Sequence, residues 1–160
     1  MIPYEQLTNL HFIKGLDPVA DAFAGTVTSD VVDLSNHQSA LFILHKGVGA
    51  TGTSTITVEA CDDIVPTNTT AVPFYSKNIT ATDVQGAVTP RAATGFVTTA
   101  GSSQMYAIQV HAEELANAGY RYVRLKAVEV VDSPVLGGIA IALCNPRFGG
   151  SPGTSHSEID

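Results

Sequence analysis

The chain has no tryptophan, two methionines and two cysteines in 160 residues. Two cysteines, Cys61 and Cys144, cannot build a disulfide framework, and without a CxxC spacing they do not make a structural zinc site. Each ends a strand-like run, so both are expected as buried free thiols packing as small hydrophobes, with a single bridge between them as the alternative. Cations are scarce too: eight Lys and Arg face fifteen Asp and Glu, a net charge of −7. Non-specific phosphate binding needs concentrated positive charge, so no nucleic-acid partner is expected. No apolar run reaches the roughly 18 residues that span a bilayer. The longest, Pro134 to Leu143, is broken by Gly137 and Gly138, so no membrane partner is expected. Met1-Ile2-Pro3-Tyr4-Glu5-Gln6 has neither the basic residues nor the apolar stretch of a signal peptide, and synthesis in the cytoplasm without export is the expectation.

What is present points to one β-rich domain. A hydrophobic fraction of 44% against 14% charged residues is enough to bury a core. The 17 Val, 17 Thr and 10 Ile far outweigh the strong helix formers and favour sheet. About eight period-2 segments are bounded by turn residues: Phe23 to Thr28, Ala40 to Lys46, Thr53 to Cys61, Ala71 to Ile79, Gly95 to Thr99, Gln104 to Ala112, Tyr120 to Val130 and Val135 to Cys144. Three of them show one dry face. Ser54, Ile56, Val58 and Ala60 point inward while Thr55, Thr57 and Glu59 face water; Tyr106, Ile108 and Val110 oppose Gln109 and His111; Val123, Leu125 and Ala127 oppose Arg124 and Lys126. Strands with one dry face need a second layer, which predicts an antiparallel two-sheet β-sandwich, jelly-roll-like, over residues 21–146.

The flanks read differently. Tyr4, Leu7, Leu10 and His11 fall at helical spacing, with Pro18 and Gly25 at the exit, so residues 1–20 are expected as an N-terminal arm or short helix. Residues 147–160, rich in Gly, Ser and Pro, have almost nothing to bury and are expected as a flexible tail. Glu113 to Ala118 predicts a one-turn helical connector stopped by Gly119. Pro73 and Lys77 suggest that the fourth strand lies at a sheet edge.

No constellation supplies a reactive centre. Gly47-Val48-Gly49-Ala50-Thr51-Gly52 matches GxGxxG, but an alternating strand follows where a nucleotide site needs a helix N-terminus, so a hairpin loop is expected. His11, His37, His45, His111 and His156 share no metal-binding spacing, and Asp62-Asp63 with Asn68 lacks the alternating pattern of a calcium loop. Ser102-Ser103 sits outside any GxSxG. Glu59 and Glu129 alternate with apolar neighbours and are expected in solvent, which gives no basis for a glycosidase pair unless distant strands bring them together. No enzyme, cofactor or metal is expected. Two features suit contact with a partner: the apolar arm residues Tyr4, Leu7, Leu10 and Phe12, and the cationic run Arg121, Arg124 and Lys126 interleaved with Tyr120 and Tyr122, whose Arg and Tyr are types enriched in interface cores.

Gly119-Tyr120-Arg121-Tyr122-Val123-Arg124-Leu125, Asp132-Ser133-Pro134-Val135-Leu136-Gly137-Gly138-Ile139-Ala140, Lys46 to Gly52 and Thr57-Val58-Glu59-Ala60 together look like small structural proteins of tailed bacteriophages, and most like capsid decoration, or cement, proteins. The resemblance spans residues 10–148. It implies a β-sandwich or jelly roll that binds the outside of an assembled head through the major capsid protein, often as a homotrimer, and hence a place on the virion surface. It carries no site residue across, because such proteins share a role rather than a motif. A head-tail connector or tail component, and a carbohydrate-binding sandwich, are the alternatives. The second wants a row of exposed aromatics, yet these are only 7% of the chain.

Overall fold

In a computed structural model, residues 10–49, 51–101 and 103–147 are described. They form β1 (His11–Val19), β2 (Thr26–Thr28), β3 (Val32–Asp33), β4 (His37–Lys46), β5 (Thr53–Cys61), β6 (Thr69–Val72), β7 (Phe74–Ala81), β8 (Val84–Gln85), β9 (Thr89–Arg91), β10 (Phe96–Val97), β11 (Gln104–His111), α1 (Ala112–Asn117), β12 (Tyr122–Val131) and β13 (Gly137–Pro146). Two antiparallel sheets pack against each other, as expected, but with thirteen strands among the described residues instead of about eight, since strands of two or three residues such as β3, β8 and β9 are too short to show a period-2 run. The seven-stranded sheet runs β1-β13-β4-β11-β7-β8 with β9 also on β7, and the six-stranded sheet runs β10-β5-β12-β2 with β3 on β12 and β6 on β5.

The topology is that of a long hairpin rolled up. The pairs β1–β13, β2–β12, β4–β11 and β5–β6 nest one inside the next, and the additional pairs β13–β4 and β12–β5 close each sheet. That nesting is a jelly roll, with β7 to β9 added beyond β11. The inward sets expected from alternation are those buried between the sheets: Ile56, Val58 and Ala60 of β5, Tyr106, Ile108 and Val110 of β11, Val123, Leu125 and Ala127 of β12. Phe42 and Leu44 of β4 and Ile139, Ile141 and Leu143 of β13 complete this layer. α1 bridges β11 and β12, so it carries the chain from one sheet to the other; Leu115 is buried beneath it and Gly119, at φ +82°, ends it as expected.

Three expectations change. First, the described part of the N-terminal segment is a strand and not a helix: His11–Val19 forms the edge of the seven-stranded sheet. Its alternation is masked because Gly15 takes an inward position already filled from across the pair, where a Cβ would lie 2.8 Å from Ile141 Cδ1, while the apolar Phe12 points out. Second, the Ala71 to Ile79 run is two strands in different sheets. Pro73 marks the crossing: β6 is an edge strand of the six-stranded sheet, pairing only β5, while β7, which holds Lys77, lies between β11 and the short β8 and β9. Third, Gly47 to Gly52 is no hairpin, since β4 and β5 belong to different sheets. The loop is fastened to the segment before β13, with Gly47 N–H donating to Leu136 O at 2.6 Å and Leu136 N–H to Val48 O at 3.0 Å. Gly52 fits because it has no side chain: a Cβ there would lie 2.4 Å from Ser133 O. The tail read over 147–160 lies outside the described residues except for Arg147, whose N–H donates to Asn36 O at 2.9 Å.

Candidate functional site

The two outer faces of the sandwich differ in chemistry. On the six-stranded sheet, β5 and β12 present Thr55, Thr57, Glu59 and Cys61 opposite Val128, Lys126, Arg124 and Tyr122. Glu59 was expected in solvent, but it is buried at 6% exposure because two cations fold over it. Arg124 donates from Nε and Nη2 to Glu59 Oε2 at 2.9 and 2.8 Å, and Lys126 Nζ donates to Oε1 at 2.9 Å. Burial by itself raises the carboxyl pKa, and the hydrogen bonds and charges of Lys126 and Arg124 outweigh it, so the net shift is downward. Arg121, just before β12, lies over the Tyr122 ring at 4.6 Å, hydrogen-bonds its hydroxyl, and reaches Asp33 Oδ2 at 3.6 Å. The cationic run is thus largely neutralised within the molecule: Arg124 and Lys126 share one carboxylate, and Arg121 meets another.

Near this end of the face Cys61 is covered by Val31, Tyr122 and Ile64. Burial pushes its thiol up to about 11, with Arg124 pulling the other way and Glu59 and Asp62 adding to the rise, which makes it a poor nucleophile. Cys144 is in the other sheet, also free and also raised by burial. Both cysteines are free thiols, as expected, but only Cys61 is buried and Cys144 is half-buried.

Inside the sandwich, one end is closed by polar groups that the sequence reading passed over. Lys46 is 2% exposed and donates from Nζ to Gly52 O at 2.8 Å and Thr99 O at 3.0 Å. Beside it Thr99 N–H donates to Tyr106 Oη at 2.9 Å, and that hydroxyl donates to Gln104 Oε1 at 2.7 Å. Desolvation lowers the Lys46 pKa. The signal was in the strand: Lys46 continues the inward phase of Ala40, Phe42 and Leu44. The group ties the 47–52 loop and the 98–100 segment to the core, and no carboxylate or second nucleophile joins it among its described hydrogen bonds.

The outer face of the seven-stranded sheet is of a different kind. Register places Phe12, Ala142, Leu41, Gln109 and Tyr75 in one row across β1, β13, β4, β11 and β7. The next row is Lys14, Ala140, Ile43, Ala107 and Lys77, and a third runs Gly138, His45, Met105 and Ile79. These rows contain no carboxylate. Beside Ala140, the exposed small residue of β13, a groove of about 650 Å³ opens, walled by Phe12 and Leu16 on one side and by Ile43 and Leu136 on the other, with Asp17, which pairs with Lys14 at 3.1 Å, also in its lining. Phe12 is 57% exposed and Leu136 43%.

The expected contact residues therefore do not form one site. Phe12 stands on the wall of this groove and Leu10 is half-buried just before β1. Arg121 and Arg124 belong to β12 and its approach, in the opposite sheet. Tyr4 and Leu7 lie outside the described residues. Among the described residues, no three His, Cys, Asp or Glu side chains gather to hold a metal ion, and no helix is long and apolar enough to cross a membrane. No family model matches the chain, and no curated protein or solved structure was found to be similar to it.

Proposed function

We propose that the protein is a structural component of a tailed-phage virion that binds the outer surface of the assembled head, with the major capsid protein as its partner, and stabilises the shell. The observation that carries this reading is the outer face of the seven-stranded sheet, where Phe12, Tyr75 and Leu136 stand exposed beside half-buried Leu41, Ile43 and Met105 on a folded jelly roll. Surfaces of this kind mark contact with another macromolecule. The polar groups elsewhere serve the fold: Lys46 closes one end of the sandwich, and Glu59 is taken up by Arg124 and Lys126. The sequence resemblance to decoration proteins supplies the kind of assembly.

A protein that binds the closed shell and not its free subunits stabilises the shell by mass action, and many equivalent copies make a modest contact sufficient. Co-sedimentation of the purified chain with empty heads built from the capsid protein of the same genome tests this. Saturable binding that raises the temperature at which the heads rupture is expected. A chain that stays in the supernatant at tens of micromolar, binds only tails in negative-stain images, or is retained on a glycan array instead overturns it.

A further inference from the structure

We propose that His11 and His37 form a proton-operated catch: while both imidazoles are neutral the first residues of β1 lie closed on the sandwich, and acid releases them by charging His37. The catch sits at one pole of the body and is independent of what the outer face binds.

Three features of the fold make it. His37 begins β4, is 3% exposed, and its Nδ1 has no hydrogen-bond partner among the described residues. It meets His11, the first residue of β1, with the ring centroids 6.5 Å apart. β1 is also an edge strand, held in the sheet by β13, and His11 opposite Leu143 is the last rung of that ladder. The other attachment of its backbone, Asp30 N–H donating to Gly15 O at 2.8 Å, lies farther along the strand. An edge strand can therefore lift at this end without parting the rest of the sheet.

The surroundings of His37 do not accommodate its charge. His11 faces it from β1, and its cross-strand neighbour in β13 is the uncharged Pro146. Asp33 of β3 acts on the ring with the opposite sign, but Ser35 N–H donates to its Oδ1 at 2.7 Å and Arg121 Nε lies 3.6 Å from its Oδ2. Arg147, just beyond β13, brings a further cation, with Nε donating to His37 O at 3.2 Å. From α1, Ala112 and Leu115 turn inward, while Glu113 is exposed and Glu114 lines a hollow with Tyr75 and His111 of the neighbouring strands.

A protonated His37 is thus a buried cation whose nearest carboxylate is already engaged, and its Nδ1–H becomes a donor without an acceptor. Burial and the charge of His11 outweigh Asp33, so the closed chain takes up this proton less readily than an opened one. The closed state is fully favoured above the ordinary histidine range, and the open state gains as pH falls through that range toward the folded value. The smallest movement that brings the ring to water lifts the start of β1, which parts the two imidazoles and breaks the fewest rungs. It also leaves the Leu143 end of β13 as an open edge, able to accept another strand.

An NMR titration of the histidine rings of the full chain, with amide protection factors measured at pH 7.5 and pH 5, tests the catch. His37 is expected to titrate below the ordinary histidine value. Protection of the amides of residues 11–14 is expected to fall by roughly fivefold or more between the two pH values, the change one displaced proton brings, while that of β5 and β12 holds. His37→Phe keeps a ring, removes the titrating group and is expected to abolish the fall; His37→Gln replaces it if the melting temperature at pH 7.5 drops. A His37 that titrates at or above the ordinary value overturns the proposal, as does a fall that survives substitution of His37. So does protection at residues 11–14 that is indifferent to pH, or a loss shared equally by β5 and β12.

Discussion

Arg124 and Glu59 are direct cross-strand partners on β12 and β5, and the guanidinium grips a single carboxylate oxygen through two nitrogens, at 2.9 and 2.8 Å, while Lys126 takes the other oxygen. An ionised carboxylate buried this deeply is tolerated only because both oxygens are occupied by cations.

Glu59→Gln is therefore expected to destabilise the fold by about 3 kcal/mol, the low end for a broken buried pair, because Arg124 and Lys126 retain some contact with water. The carboxyl pKa is lowered in the folded chain, so its contribution is complete above the ordinary carboxylate range and is lost as pH falls through that range toward the folded value. Urea unfolding measured from pH 7 to pH 3 checks both points: the wild type loses stability along this limb, and Glu59→Gln starts lower and loses less.

Lys46→Met keeps the length of the side chain and removes the donor to Gly52 O and Thr99 O. Two carbonyls at the closed end of the sandwich then lack that donor, and a loss of about 1–3 kcal/mol is expected. Because burial lowers the lysine pKa, the unfolded chain holds this proton more tightly, and wild-type stability gains from Lys46 as pH rises from the folded value to the ordinary lysine range. Denaturant melts between pH 7 and pH 11 are expected to show that gain in the wild type and not in Lys46→Met.

Gly52→Ala places a methyl group 2.4 Å from both Ser133 O and Val135 Cγ2. The loop has to part from the segment before β13, and overpacking of this kind costs about 1–3 kcal/mol. A lowered melting temperature with the same β-rich spectrum is the expected result, and an unchanged one means that the loop shifts freely.

The sequence was most legible where one strand face is dry and the other wet. In β5, β11 and β12 the alternation named the buried residues, since a period of two admits one inward set. It failed where an outer face is itself apolar or a charge is paired. Phe12 and Gly15 hide the strand character of β1, because the apolar residue points out and the glycine in. Glu59 follows the outward phase correctly, yet that phase does not reveal that Arg124 and Lys126 close over it. The GxGxxG run does not open a helix, but which sheet receives each flanking strand depends on pairings with β11, β12 and β13, far along the chain, which local turn chemistry does not carry. The apolar outer face was not legible at all: its rows join residues from five strands, and only the register assembles them.

Because β1 and β13 are antiparallel neighbours with His11 opposite Leu143, the first described residues and the last ones leave the body at the same pole. A reporter joined directly at residue 10 or at residue 147 therefore leaves from one side of the molecule, with the far pole and its Lys46 closure unencumbered. The same adjacency makes the chain suited to circular permutation: a brief tether from residue 147 to residue 10 restores continuity, and new ends can be cut at the exposed turn around Asp83.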